Sequence, residues 1–303
     1  MNPSRILLES GAHRLVRGRY GYVLYNKNDI VVGRFLEAYG EYFESEVAMF
    51  RQICRPGDIV VDAGANIGAH TLALSEMVGT WGAVFAFEAQ RLVHQVLCAN
   101  AALNSLTQAV CVHAALGAAD GTLQLVDLDE TVPQNIGGVA VEAISHPGGG
   151  RTSQFALDGF LSVSRLRFMK IDVEGMELEV LQGAERLLAE FAPVLYVEND
   201  RPAKSSALIQ FLTSHGYRAY WHLAPDFNPE NFFGNPQRIF AHGFVDRSGP
   251  YLDSIGFSMN LVCVPAKYNI PVNQLREVTD PEEHPMKREY NKLFVQEPNL
   301  SER

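Results

Sequence analysis

The chain has 303 residues, of which 47% are hydrophobic and 20% are charged, and its formal net charge is −10. This length and apolar content suit one large α/β domain or two small ones, and they argue against a disordered chain. The negative charge and the lack of a long Lys/Arg run argue against a nucleic-acid partner, because a polyanion is bound through basic surfaces.

The sequence has no stretch of 18 apolar residues and no continuous apolar segment at its N-terminus. Its four cysteines are scattered without a C-x-x-C pair, which is typical of reduced thiols. We therefore expect a cytoplasmic protein without a membrane span. No feature of the sequence selects an oligomeric state.

Residues 1–55 predict an N-terminal extension of strands and a helix, packed on the core. Apolar residues alternate within residues 1–35, which indicates a β-hairpin or short strands. Within residues 41–53 they recur at helical spacing, and Pro56-Gly57 ends that segment. We expect this helix to lie over the ligand site.

The most informative segment is Asp58–Thr71, which reads D-I-V-V-D-A-G-A-N-I-G-A-H-T. An apolar run ends in Asp62, a loop of small residues follows, and an amphipathic segment comes next, which predicts strand, turn and helix. Gly64 and Gly68 allow the loop to turn sharply and approach a ligand. The pattern is not the G-x-G-x-x-G of dinucleotide folds, and Asp62 would repel a diphosphate, which disfavours a nicotinamide-dependent reductase. An ammonium group or sugar hydroxyls suit this loop, and S-adenosylmethionine carries both.

Strands and helices then alternate over residues 56–268, which predicts an α/β fold with a seven-stranded, mostly parallel sheet. The predicted strands are 59–62, 83–88, 110–115, 167–172, 194–198, 218–222 and 259–264, and the predicted helices are 69–78, 91–103, 176–189 and 203–214. Two insertions interrupt the alternation. We interpret 121–157 as a hairpin with a mobile loop, including a β-like patch at 139–143, and 223–256 as irregular. The polar tail 269–303 is expected to be partly frayed.

Four acids each end a predicted strand: Asp62, Glu88, Asp172 and Glu198. Ligands of such folds bind beyond the carboxyl ends of the strands, so we expect these acids along one rim. Glu88 lies roughly 20 residues after the glycine loop, the spacing at which an acid meets ribose hydroxyls. Asn66 either contacts the cofactor or caps the following helix.

The segment from Lys170 to Glu174 carries the candidate catalytic residues. Lys170 and Asp172 share one side of their strand because side chains alternate, and Asp172 is the leading catalytic carboxylate. Glu174 is either a second catalytic acid or an acid favoured by a helix start. Glu198 is a further candidate from the next strand.

Two mechanisms stay open at this rim. Asp172, Glu198 and Asn199 form an oxygen set that would hold Mg²⁺ or Mn²⁺, and such an ion would lower the pKa of an acceptor hydroxyl. Alternatively, one carboxylate acts as a general base without a metal.

The insertion 223–256 and its flanks are expected to contact the acceptor. Its amides, its aromatic rings and His242, together with the flanking His222, can stack on and hydrogen-bond a sugar. The predicted substrate residues are His222, Asn231, Phe232 and Asn235.

Four motifs resemble the FkbM family of S-adenosylmethionine-dependent methyltransferases: D-A-G-A-N-I-G at 62–68, F-E-A at 87–89, K-I-D-V-E-G at 170–175 and V-L-Q-G-A at 180–184. The resemblance covers roughly residues 40–200. It implies a Rossmann-like class I methyltransferase fold with an antiparallel last strand. It also implies that the glycine loop contacts the methionine portion of the cofactor. Where many methyltransferases place an acid for adenine, this chain reads Ala114-Ala115-Leu116-Gly117, so we expect apolar and backbone contacts around Ala115.

The family methylates hydroxyls, and the acceptor implied is a small molecule or a glycan. We place first a sugar hydroxyl in a surface polysaccharide or glycolipid, and second a hydroxyl of a secondary metabolite. A non-catalytic binding module with a methyltransferase fold is the alternative of another class. The intact set of rim acids disfavours it, because such a module would tolerate their loss.

Overall fold

A computed structural model describes residues 5–126, 128–138, 150–241, 243–245 and 249–294. The predicted β-like patch at 139–143, the loop around it and His242 lie outside these described residues.

The chain opens with a three-stranded antiparallel sheet of β1 (Ile6–Ser10), β2 (His13–Gly18) and β3 (Gly21–Asn26). Two helices follow, α1 (Val32–Tyr39) and α2 (Glu44–Ile53). The sequence predicts only the second, and it begins at Glu44 rather than at residue 41. The two helices are separate because Gly40 ends α1 with φ 70° and Phe43, just before α2, has φ 40°, and both values are left-handed.

Strands and helices then alternate along the rest of the chain. In order they are β4 (Ile59–Ala63), α3 (Ala69–Val78), β5 (Ala83–Glu88), α4 (Arg91–Leu103), β6 (Ala109–His113), β7 (Ala115–Leu116), β8 (Gly121–Gln124), β9 (Arg151–Phe155), α5 (Leu157–Phe160), β10 (Phe168–Ile171), α6 (Glu177–Gln182), α7 (Glu185–Phe191), β11 (Val194–Glu198), α8 (Pro202–Ser214), β12 (Tyr217–Pro225), β13 (Gly243–Val245), β14 (Asp253–Ile255), β15 (Phe257–Pro265), β16 (Arg276–Glu277) and α9 (Arg288–Asn291).

The central sheet has the strand order β16-β12-β15-β11-β10-β4-β5-β6. The strands from β11 to β6 are parallel, whereas β15 is antiparallel to both of its neighbours. The predicted α/β class, with a mostly parallel sheet and an antiparallel last strand, is confirmed. The sheet has eight strands rather than seven because two residues of the C-terminal tail pair with β12.

Apolar side chains fill both faces of the central sheet. One face buries Val61, Ile171 and Val197 under the helices that follow β10 and β11. The other buries Val60 and Phe168 against α2 and α3. Side chains alternate along a strand, so successive residues of β4 and β10 enter opposite cores. This burial on both faces explains why the strands read as continuous apolar runs.

The register of the parallel strands gathers the predicted site residues. Asp62 of β4 is paired with Lys170 of β10, which is paired with Tyr196 of β11. The carboxyl ends of these strands therefore meet at one edge of the sheet, and the residues after β4, β5, β10 and β11 lie together there.

The insertions and the tail pack on this sheet. In the first insertion, β8 and β9 pair antiparallel, and β7 joins them in a small sheet. The tail, which we expected to fray, is packed as far as residue 294: His284 is fully buried, and its Nε2 lies 3.0 Å from the carbonyl oxygen of Asn199. None of the helices in the described ranges is long and apolar enough to cross a membrane.

Candidate active site

A cavity of about 610 Å³ opens at the carboxyl edge of the central sheet. Its volume lies within the roughly 300–1,000 Å³ of small-molecule sites. The loops after β4 and β10, the ends of β5 and β11 and the start of β15 line it. Residues 114–116, 135–138 and Phe240 add to the lining, and α1 with residues 42–43 forms a further wall, so the chain before α2, rather than α2 itself, covers the site.

The glycine loop after β4 brings the backbone against neighbouring elements. Gly64 has φ 75°, and a Cβ there would lie 1.7 Å from the carbonyl oxygen of Asp172. Gly68 has φ 88°, and its Cβ would lie 2.7 Å from a methyl group of Leu97. Gly64 lines the cavity, whereas Gly68 packs against α4. Both glycines are therefore required by close packing as well as by any ligand.

Asn66 and Glu88 are joined across this loop. The amide N–H of Asn66 donates to Oε2 of Glu88 at 2.9 Å, and that of Gln90 donates to Oε1 at 2.7 Å. Burial raises the pKa of Glu88 to about 7. Helix α3 begins after Gly68 without a side-chain cap, so the alternative role of Asn66 as a helix cap is wrong. Glu88 lines the cavity with both oxygens oriented by the backbone.

The cavity wall beside Glu88 is apolar. Ala114, Ala115 and Leu116 line it, together with Val93 and Leu123. The wall is tied to the end of β5, because the N–H of Ala114 donates to the carbonyl oxygen of Glu88 at 3.1 Å. A flat apolar ring can pack against such a wall.

Asp62 lies behind the lining of the cavity. It is fully buried, its Oδ2 accepts a hydrogen bond from the Thr71 hydroxyl at 2.7 Å, and its Oδ1 lies 3.6 Å from Nζ of Lys170. We predicted a direct cofactor contact, but the structure gives Asp62 a supporting position. Its side chain faces Thr71 of α3 and its partner in the register, Lys170, rather than the cavity.

Lys170 connects Asp172 with the glycine loop. Its Nζ lies 3.0 Å from Oδ2 of Asp172 and donates to the carbonyl oxygen of Gly64 at 3.2 Å. Burial alone lowers the pKa of Lys170, but its attraction to Asp172 and Asp62 outweighs burial, and the pKa is raised. Lys170 therefore stays charged and positions Asp172.

Three carboxylates converge in the cavity: oxygens of Asp172, Glu174 and Glu198 all lie within 4.8 Å of one another. Arg201 contacts two of them, with Nη2 2.7 Å from Glu174 and Nη1 3.7 Å from Glu198. Burial, followed by repulsion from Asp172, raises the pKa of Glu174 to about 7 and that of Glu198 well above its ordinary value. Glu198 therefore holds a proton more readily than a solvent-exposed glutamate does.

Asn199, which we predicted as a metal ligand with Asp172 and Glu198, faces away from this cluster. It is buried, and its Nδ2 donates to the Ser205 hydroxyl of α8 at 2.8 Å. Successive side chains along β11 point in opposite directions, so only Glu198 reaches the cavity. Glu174 takes the place of Asn199 in the oxygen set.

The four predicted substrate residues are not among the cavity's lining residues within the described part of the chain. Nδ1 of His222 lies 2.8 Å from the Tyr196 hydroxyl, outside the cavity. Asn231 and Asn235 hydrogen-bond each other, and Phe232 is 45% exposed. This segment docks instead on the link between α1 and α2, because Glu41 accepts the N–H of Phe232 at 2.8 Å.

Residues 41–53 were expected over the ligand site, and Tyr42 and Phe43 of that range do line the cavity, but the part of the wall built by α1 was not predicted. Phe35, Tyr42 and Phe43 line the cavity with Phe240 and His70. Ring centroids lie 5.4 Å apart for Phe35 and Tyr42 and 5.0 Å apart for Phe35 and Phe240. His70 stands inside the glycine-loop motif, but its place in this wall was not predicted either.

The strand order, the glycine loop and the acids at the strand ends define a Rossmann-like methyltransferase. The sequence model of the methyltransferase FkbM domain matches residues 62–219, slightly more than half of the chain. The chain belongs to this FkbM family and is an S-adenosylmethionine-dependent methyltransferase.

Several known proteins are similar to this chain. The methyltransferase sdnD of Sordaria araneosa is 29% identical over 203 residues, which cover 55% of this chain and 77% of sdnD. The crystal structure of methyltransferase FkbM from Methylobacillus flagellatus is 15% identical with a TM-score of 0.38, covering 71% of this chain. The match spans 50% of that protein's length. Precorrin-6y C5,15-methyltransferase from Geobacter metallireducens is 13% identical with a TM-score of 0.43, covering 73% of this chain and 87% of its own.

Proposed function

We propose that the protein transfers the methyl group of S-adenosylmethionine to a hydroxyl oxygen, with Asp172 as the general base. The observation that carries the proposal is the convergence of Asp172, Glu174 and Glu198 within 4.8 Å in the cavity. These carboxylates stand at the same sheet edge as the glycine loop and Glu88.

The residues of the cavity fit the cofactor. Glu88 has both oxygens oriented by backbone N–H groups, and its remaining lone pairs can accept hydrogen bonds from two ribose hydroxyls. The apolar wall around Ala115 suits adenine, and Gly64 allows the backbone to come close to the methionine portion. When bound, the cofactor supplies a sulfonium methyl group that an oxygen nucleophile can displace.

Asp172 is placed to remove the acceptor's proton. Its side chain is 33% exposed at the cavity, and Lys170 holds it at 3.0 Å. The raised pKa of Glu198 makes that residue a proton holder next to the base. A positioned general base typically accelerates a reaction by about 10²–10⁴.

We propose that this reaction needs no metal. Lys170 and Arg201 contact the three carboxylates and offset part of their charge. An Mg²⁺ or Mn²⁺ ion held by Asp172, Glu174 and Glu198 would have to displace these contacts. That ion remains the alternative, and chelation tests it.

A hydroxyl on an apolar ring scaffold, such as a secondary metabolite, is favoured as the acceptor over a sugar. Four rings of the wall, from Phe35, Tyr42, Phe43 and Phe240, present apolar surface to the cavity. The side chains that favoured a sugar, Asn231, Phe232 and Asn235, stand outside the lining. Aromatic walls favour flat or apolar faces through contact area.

The test is incubation with methyl-labelled cofactor and two separate acceptor pools, a small-molecule extract and a polysaccharide–glycolipid extract. Mass spectrometry then locates the labelled product. We expect label on a hydroxyl oxygen in the small-molecule pool, and none with Asp172→Asn. Label on a nitrogen or carbon atom would contradict O-methylation, and label only in the glycan pool would restore the sugar acceptor.

A further inference from the structure

Two polar side chains in the cavity wall, Tyr42 and His70, face each other without hydrogen-bond partners. Their ring centroids lie 5.3 Å apart, and both residues line the cavity. Within the described ranges, Nε2 of His70 is buried with no hydrogen bond, and the Tyr42 hydroxyl has none either. Buried polar groups are nearly always paired, so the unpaired nitrogen of His70 requires an explanation, and the half-buried Tyr42 hydroxyl beside it is free to bind a ligand.

Both groups are neutral in the folded protein. Burial lowers the pKa of His70 well below its ordinary value, and the nearby charge of Lys170 lowers it further. Burial likewise raises the pKa of Tyr42 well above its ordinary value. A neutral imidazole offers one donor and one acceptor, and a phenol can donate and accept. The pair therefore suits a neutral oxygen group better than an ion.

Glu46 lies beside His70 at a distance longer than a hydrogen bond. Its Oε2 lies 3.6 Å from Nε2 of His70, and its Oε1 accepts hydrogen bonds from Ser258 and, at 3.0 Å, from Nδ2 of Asn260. Glu46 is buried and belongs to α2, whereas its two donors belong to β15. Glu46 is itself fixed, but it leaves Nε2 of His70 without a hydrogen bond, and the His70 ring lines the cavity.

The surroundings make hydrogen bonds at this pair selective. The Tyr42 ring lies 5.0 Å from that of Phe43, and the His70 ring lies 5.4 Å from that of Phe50. In such an apolar environment an unpaired polar group is costly, so a site built to bind a hydroxyl rejects an analogue that lacks it.

We infer that Tyr42 and His70 together bind a hydroxyl of the methyl acceptor, with Tyr42 donating to its oxygen and His70 accepting its hydrogen. The inference deepens the proposed function, on which it rests, and it defines the acceptor as a compound whose hydroxyl adjoins an apolar ring.

The experiment measures binding, so that it does not depend on methyl transfer. The probes are 2-naphthol and naphthalene, titrated into the complex with S-adenosylhomocysteine. For the unaltered protein, we expect 2-naphthol to bind at least about tenfold more tightly than naphthalene, the worth of one well-made buried hydrogen bond. Tyr42→Phe and His70→Leu should each reduce this ratio to about threefold or less, while the Kd of S-adenosylhomocysteine changes less than about twofold.

Two further variants separate lost hydrogen bonding from lost folding. Tyr25→Phe removes another buried tyrosine hydroxyl, 3.5 Å from Glu37 and outside the cavity lining, and should keep the full ratio. His70→Gln keeps a polar group and should restore part of the ratio lost in His70→Leu.

Three results would overturn the inference: no binding of 2-naphthol to the unaltered protein, an unchanged ratio in both variants, or a loss of S-adenosylhomocysteine affinity as large as the loss of 2-naphthol affinity. The loss of S-adenosylhomocysteine affinity would show that Tyr42 and His70 contact the cofactor instead. The expected binding pattern, in a protein that methylates no hydroxyl compound, would contradict the proposed function and leave this inference standing.

Discussion

Glu88→Gln is the sharpest test of the cofactor site, because the substitution keeps the shape of the side chain and removes one acceptor. Each Glu88 oxygen accepts one backbone N–H, from Asn66 at 2.9 Å and from Gln90 at 2.7 Å. A glutamine has a single acceptor oxygen, so either orientation of its amide turns an NH₂ group toward one of these N–H donors. One buried N–H is then left unpaired.

The cost of that unpaired group is about 1–3 kcal/mol. The free energy of unfolding should fall by this amount. Because Glu88 is also our proposed ribose ligand, the Kd for S-adenosylhomocysteine should rise by about tenfold or more, which corresponds to about 1.4 kcal/mol. The measurements are calorimetric titration and denaturant unfolding at pH 8, where Glu88, with a pKa of about 7, is ionised.

Asp158→Asn is the matched control. Asp158 also accepts two backbone N–H groups, from Arg186 at 2.6 Å and from Leu187 at 3.0 Å, and it stands outside the cavity lining. This variant should lose stability while its cofactor affinity stays within about twofold. An unchanged Kd in Glu88→Gln, or an equal loss in both variants, would refute the assignment of Glu88 to the cofactor.

Three other outcomes are expected. Asp172→Asn should lower turnover by roughly 10²–10⁴ and leave cofactor affinity nearly unchanged, and near-normal turnover would move the base to Glu174 or Glu198. Activity should persist in excess EDTA, because Lys170 and Arg201 already contact the carboxylates and offset part of their charge, whereas loss of activity that Mg²⁺ or Mn²⁺ restores would establish the metal site. Burial raises the pKa of Glu46 from 4.5 to about 7, so the folded state binds the Glu46 proton more tightly than the unfolded chain does. The stability that this proton contributes is complete below about pH 4.5 and is lost as the pH rises through 7. The Tm should therefore fall between pH 5 and 8, and Glu46→Gln should remove about 3 kcal/mol of that dependence. A Tm profile that the substitution leaves unaltered would show that Glu46 does not titrate in this range.

Local sequence signals were sufficient for the elements around the cofactor loop. The predicted bounds of α3, β5, α4 and β11 match the structure residue for residue. Each of these elements is delimited by a nearby glycine, proline or acid, and each carries an apolar pattern of a single period. The acids at the ends of β5 and β11 could be placed on one rim for the same reason, since parallel strands in register share an edge.

The tertiary structure decided which side chains face the cavity. The predicted helix 176–189 is divided at Gly183, because a Cβ there would lie 2.1 Å from the carbonyl oxygen of Gly117, more than 60 residues earlier. Asn199 turns toward Ser205 because α8 covers that face of β11.

The aromatic wall of the cavity could not be predicted from local sequence patterns, for the same physical reason. Phe232 and its neighbours dock on Glu41, 191 residues away, and so leave the cavity to Tyr42, His70 and the aromatic rings around them. Hydropathy period and turn chemistry report only on interactions within a few residues along the chain. Contacts between segments this far apart depend on how the packed layers meet, and only the folded chain determines that.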